Sequence, residues 1–173
     1  MKSKLPAAVA LTVLSAAVAL AMPAIAADLP QSGTIKIHST FKSNVQAVEV
    51  GKKHFMGSAN AWAVTYNGAG SGPLHMEAAL CTTTFDDING SYVESGGLCA
   101  WGSADKIFIV WTGKGTDNVG EQGTGTIAGG TGKYAGIQGK FAYQCKDVQP
   151  YDQQLFACTQ QFDYQLNAAA AAR

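Results

Sequence analysis

From about residue 27 onward, apolar and polar side chains exchange places at every second position. No stretch of helical length shows a 3.6-residue apolar period. Runs rich in β-branched and aromatic residues recur instead, with turn residues between them. The pattern predicts strands near Thr34–Val50 (bent midway), His54–Tyr66, Leu74–Phe85 and Tyr92–Trp101. Four more are predicted near Lys106–Thr112, Gly120–Ile127, Gln138–Asp147 and Leu155–Leu166. The connectors carry turn chemistry, from Gly51-Lys52-Lys53 and the glycine-rich 67–72 to Asp87-Ile88-Asn89-Gly90 and Pro150-Tyr151-Asp152. Glycine and asparagine accept the positive φ of tight hairpins, and proline presets a turn. Short connectors imply antiparallel neighbours. The expected fold class is therefore all-β, a single antiparallel up-and-down barrel of about eight strands that closes away its exposed edges. A β-sandwich is the alternative.

The four cysteines fit hairpins. Cys81 and Cys99 are equidistant from Gly90, and Cys145 and Cys158 are equidistant from the Tyr151–Asp152 bond. Residues equidistant from a turn oppose each other with Cα atoms about 4.5–5.5 Å apart, within disulfide reach. Of the three connectivities that four cysteines allow, Cys81–Cys99 with Cys145–Cys158 is the expected one. No Cys-x-x-Cys occurs and no histidine sits at ligand spacing beside a cysteine, so no metal site is expected.

Two disulfides require an oxidising compartment, and the N-terminus agrees. Lys2 and Lys4 precede an apolar run from Leu5 to about Met22, which closes on Ala24-Ile25-Ala26. That order is the form of a signal peptide over residues 1–26, removed on export to a periplasm or to the medium. The barrel domain then covers 27–167, with a flexible tail at 168–173 and no membrane span left after cleavage. Without Lys2 and Lys4, ten basic face twelve acidic side chains, a net charge near −2 with no basic cluster. Nucleic acid is excluded as a partner, because tracking phosphates requires such clusters.

A glycine-rich stretch invites a nucleotide-binding reading and fails it. A P-loop needs Gly-Lys-Ser/Thr four residues after its first glycine. Here Gly132-Lys133 is followed by Tyr134, and Ile127 holds the first glycine position. The same residues, Ile127-Ala128-Gly129-Gly130-Thr131-Gly132-Lys133-Tyr134-Ala135-Gly136-Ile137-Gln138-Gly139, resemble the GGTGxFxGxxG signature of the allene oxide cyclase-like and dirigent barrel proteins. The likeness runs from Gly123 to Tyr164, and Gly129, Gly130, Gly132 and Gly136 are its structural turn positions. It implies an eight-stranded barrel with a hydrophobic cavity, often trimeric, that works without a cofactor. The plant members steer a reactive intermediate to one stereochemical product. No catalytic position of theirs is matched to a residue of this chain.

Sorting the strands by face gives the candidate site. Trp62 and Tyr66 share one face of the second strand with His54, Met56 and Val64, while its other face is almost all small. Trp62, Tyr66 and Tyr143 are the candidate ligand walls. Glu77 and His75 lie on one face of the third strand and form the one acid–base neighbourhood, hence the candidate catalytic pair. Asp86 and Asp87 beside Asn89 read as turn caps. Two functions fit. The first is a non-catalytic barrel that binds a small hydrophobic molecule or a protein partner. The alternative is a cofactor-free isomerase or cyclase of the allene oxide cyclase type.

Overall fold

The computed structural model describes residues 29–148 and 154–167. The signal peptide expected over 1–26, the tail expected over 168–173 and the turn expected at Pro150-Tyr151-Asp152 lie outside the described residues. Eight strands close into one antiparallel up-and-down barrel in chain order: β1 (Ser32–Gly51), β2 (His54–Asn67), β3 (Glu77–Ile88), β4 (Ser91–Trp101), β5 (Ile107–Thr116), β6 (Gly120–Gly130), β7 (Ile137–Asp147) and β8 (Leu155–Leu166). The first half of β1 pairs with β8, from Ser32↔Gln165 to Lys42↔Leu155, which closes the sheet. Its second half continues along β2 as far as Gly51↔His54. Cys81 pairs with Cys99 across β3–β4 and Cys145 with Cys158 across β7–β8, and both pairs are disulfides.

Several boundaries differ from the pattern. The third strand begins at Glu77 rather than Leu74, because Leu74 (φ 59°) and Met76 (φ 55°) turn the backbone left-handed. That reversal folds Leu74 inward over the barrel end, where it is fully buried and its carbonyl accepts from Thr65 Oγ1. At the opposite end β3 runs on to Ile88 and β5 to Thr116, so each turn shrinks to a tight reversal. Asn89 (φ 57°) and Gly90 (φ 80°) make the β3–β4 turn, and Asp87 Oδ1 accepts from Gly90 N at 2.9 Å.

One end of the barrel is plugged. Leu74, Trp101, Ile107, Tyr134, Ile137 and Phe162 fill it, each at most 2% exposed. Trp101 is the centre of the plug, edge-on to Phe41 at 5.7 Å and to Phe162 at 5.4 Å. Tyr134 belongs to a single 3-10 turn, Gly132–Tyr134, which lies in the glycine-rich connector between β6 and β7. Gly132 has φ 55° and Gly136 φ 77°, while Gly129 and Gly130 end β6. A methyl group on Gly132 would meet the Asp105 carboxylate as well as strain the backbone. Gly132→Ala is accordingly expected to lower stability by about 1–2 kcal/mol in urea unfolding. An unchanged midpoint would mean that the connector relaxes freely.

Among the described residues no helix is long and apolar enough to cross a membrane.

Candidate functional site

The other end of the barrel is hollow. The inward face of β2 carries Gly57, Ala59, Ala61 and Ala63, and these small side chains leave the interior unfilled. The space has a volume of about 540 Å³ and reaches the β1–β2, β3–β4 and β5–β6 turn end. Trp101 and Phe141 form its floor, the two disulfides lie in its wall, and Asp87, Asp117 and Asp147 stand at its rim.

Four polar side chains meet on one wall: Tyr92 and Glu94 from β4, Glu121 from β6 and Tyr143 from β7. The Tyr143 hydroxyl donates to Glu94 Oε2 at 3.2 Å, and the Tyr92 hydroxyl donates to Glu121 Oε2 at 3.2 Å. The two carboxyls are within hydrogen-bonding reach of each other. Burial pushes Glu94 up to about 9, with the charge and hydrogen bond of Glu121 adding to it and the Tyr143 hydroxyl working against it. Burial raises Glu121 too, but hydrogen bonds from Glu94, Tyr92 and Tyr143 pull it back. Glu94 thus keeps the proton, and Glu121 is the less raised of the two. Both tyrosines are raised, first by burial and then by the Glu121 charge, and stay protonated. At the rim, burial and then Asp87 raise Asp117. Beside this cluster the Trp111 indole stands edge-on to Tyr143 at 5.3 Å and packs over Gly97, where a Cβ would overlap it.

The residues singled out from the sequence separate into three places. Tyr143 lines the cavity. Trp62 and Tyr66 stand on the outer face, 52% and 45% exposed, on the far side of the wall from it. The cavity-facing side of β2 is the small one, bearing Ala59 and Ala61. Glu77 and His75 are at the plugged end. Glu77 opens β3 and accepts from Ser103 N at 2.9 Å, while His75 lies in the preceding loop with its ring 6.3 Å from Tyr66. His54, expected on the face of Trp62, pairs on the surface with Asp86 at 2.6 Å.

Glu94 was hidden from simple alternation by a bulge. Counting back by twos from the inward Cys99 reaches Gly97, Ser95 and Val93, which would leave Glu94 outside. Between Glu94 and Gly97, however, β4 takes three steps where β5 takes two, from Gly113 to Trp111. The extra residue is absorbed at Gly96, φ 73°, a left-handed conformation that glycine adopts freely. Tyr92 and Glu94 are turned inward as a result, and Glu94 is 7% exposed. The Gly96-Gly97 pair is the signal that marks the bulge. Glu121 shares its face with Gly123, Gly125 and the inward Ile127, and glycines give that face no polarity to read.

No family model, curated protein or solved structure matches the chain.

Proposed function

We propose that this is an exported, disulfide-stapled barrel that binds a small, largely apolar molecule in its interior and does no chemistry on it. One observation carries the proposal: the barrel is packed to completion at one end and hollow at the other, with aromatic walls and a few convergent polar groups. Export is supported by the signal-peptide form of residues 1–26 and by the two disulfides. Trp101 and Trp111 line the cavity and report on it by fluorescence, once Trp62 on the outer face is replaced by Phe. Naphthalene derivatives titrated into this protein should quench that emission saturably. Ala61→Phe fills the space and should weaken binding at least about tenfold while the melting profile keeps its shape. Equal affinity in the filled variant would place the ligand elsewhere.

A second use is favoured by Glu94, a carboxyl held protonated above neutrality inside the cavity. It could deliver a proton to a bound intermediate, as a cofactor-free isomerase or cyclase of the allene oxide cyclase type requires. Native mass spectrometry of the protein from its own medium, followed by chromatography of any released molecule before and after incubation, separates the two. An unaltered molecule indicates a carrier, and a rearranged isomer indicates an enzyme.

Self-association belongs to the same proposal. Trp62, Leu80, Leu98 and Val110 are staggered across the outer face of β2 to β5, each at least 42% exposed. A contiguous apolar strip of this kind marks an interface. Leu98→Lys should shift the native mass from a multiple of the subunit to the monomer. A wild-type monomer would remove the strip from consideration.

A further inference from the structure

The charged side chains that line the cavity are all of one sign. Asp87, Glu94, Asp117, Glu121 and Asp147 face it or its rim, and among the described residues no Lys, Arg or His does. Buried carboxylates normally carry a basic partner, since an unpaired charge is costly to bury. Glu94 and Glu121 have only each other and two tyrosine hydroxyls. A second, independent feature lies beside it on β8, where Gln160 pairs in register with Tyr143 of β7. Gln160 is 4% exposed and lines the space; its Nε2 donates to Ser39 Oγ at 2.6 Å, but its Oε1, an acceptor, has no protein partner. The interior therefore offers a shared negative charge, a spare acceptor, and aromatic rings of Trp111, Tyr143 and Tyr92 around them.

We infer that the cavity selects an organic cation: an apolar body carrying a protonated amine, whose ammonium group sits at the Glu94–Glu121 pair among the faces of the surrounding rings. This rests on the ligand-binding proposal above and adds the sign of the ligand. An ammonium group supplies donors only, which match the carboxylates and Gln160 Oε1. Its charge is attracted to aromatic faces. A bare metal ion fits less well, because among the described residues no three His, Cys, Asp or Glu side chains gather as such an ion needs. An anionic ligand would meet repulsion from every charged group in the cavity. The indole Nε1 of Trp111, buried and without a partner, adds one donor and suits an acceptor such as an ether or carbonyl oxygen on the ligand's body. Entry of the amine ionises Glu94, so the proton held between the carboxyls leaves as the ligand arrives.

Three probes with one body test this: 2-naphthylmethylamine, 2-naphthylmethanol and 2-naphthoate, measured by calorimetry on the intact disulfide-bonded protein near neutral pH. The amine should bind about tenfold or more tighter than the alcohol, and the carboxylate more weakly than either. Repeating the amine titration in buffers of different ionisation enthalpy should show proton release on binding. Glu94→Gln and Glu121→Gln should each bring the amine down toward the alcohol while leaving the alcohol's affinity unchanged. Should one variant fail to fold, the other and the buffer series still decide. Alcohol binding as tight as the amine, or tighter, overturns the inference and leaves the ligand-binding proposal standing. Failure of all three probes overturns both. Calcium competing with the amine at equal concentration would give the site to a metal instead.

Discussion

In a reducing buffer the protein should lose most of its stability. Cys81–Cys99 closes a span of 18 residues and Cys145–Cys158 one of 13. On the chain-entropy model each restricts the unfolded chain by about 3 kcal/mol. Together that is about 6 kcal/mol, against the 5–15 kcal/mol typical of a domain's entire stability. The hollow half of the barrel has little side-chain packing to compensate, because alanine and glycine line β2 there. Both disulfides also lie in that half: their sulfurs form part of the cavity wall, and all four cysteines are at most 7% exposed. Urea unfolding with and without reductant, with thiols counted under the unfolding conditions, should show the midpoint falling by roughly 2–3 M. The Cys145→Ser/Cys158→Ser and Cys81→Ser/Cys99→Ser pairs should each account for about half of that. Full reduction with no movement of the midpoint would show that the plugged end alone maintains the fold.

The barrel and its staples are legible in the sequence because they depend on local spacing. Alternation identifies the strands, asparagine and glycine identify the reversals, and equidistance from a turn pairs Cys81 with Cys99 and Cys145 with Cys158. The cavity is also present as a pattern, since one face of β2 is nearly all small. Alternation sorts the faces of a strand without saying which face is inside. A face of Trp62, Val64 and Tyr66 reads as a core, yet the barrel turns it outward, because bulky chains already arrive in the interior from Trp101, Phe141 and Phe162. Interior volume is a property of all eight strands and cannot be read from one. The buried acid pair was invisible for a different reason. Tyr92 and Glu94 reach the interior only through the extra residue at Gly96, and a single-residue slip moves every side chain beyond it to the other face. Glu77, two residues from His75 on the same face by alternation, was the more conspicuous carboxylate, but it lies at the plugged end.

The pair makes stability depend on pH in the sense opposite to that of a salt-bridged carboxylate. Glu94 holds its proton up to about 9 in the folded protein and releases it near the ordinary 4.5 in the unfolded chain. Between those values the folded state binds more protons, so each rise in pH favours the unfolded chain. The contribution is fully present below 4.5 and is lost as the pH climbs through 9. Glu121 and Asp117 are raised as well and act in the same direction. Asp163, lowered by hydrogen bonds from Thr34 and Gln161, opposes them, but only at strongly acid pH. The groups facing Glu94 are Tyr92 on its own strand, Asp87 from β3, Glu121 from β6, Asp117 from the β5–β6 turn, and Tyr143 and Asp147 from β7. None is a base that could hold it ionised. Urea unfolding should therefore show greater stability near pH 5 than near pH 8. Glu94→Gln keeps the shape and hydrogen bonds of the carboxylic acid and cannot ionise, so it should flatten the profile and stabilise the protein near pH 8 by at least about 1–2 kcal/mol. A variant profile parallel to that of the wild type would show that Glu94 is already ionised in the folded state. An amine bound at the pair should reverse the slope, because its stabilising effect grows as the carboxyls give up their proton. The same series of pH values, run with and without 2-naphthylmethylamine, should give curves that converge at the acid end and diverge toward the alkaline end.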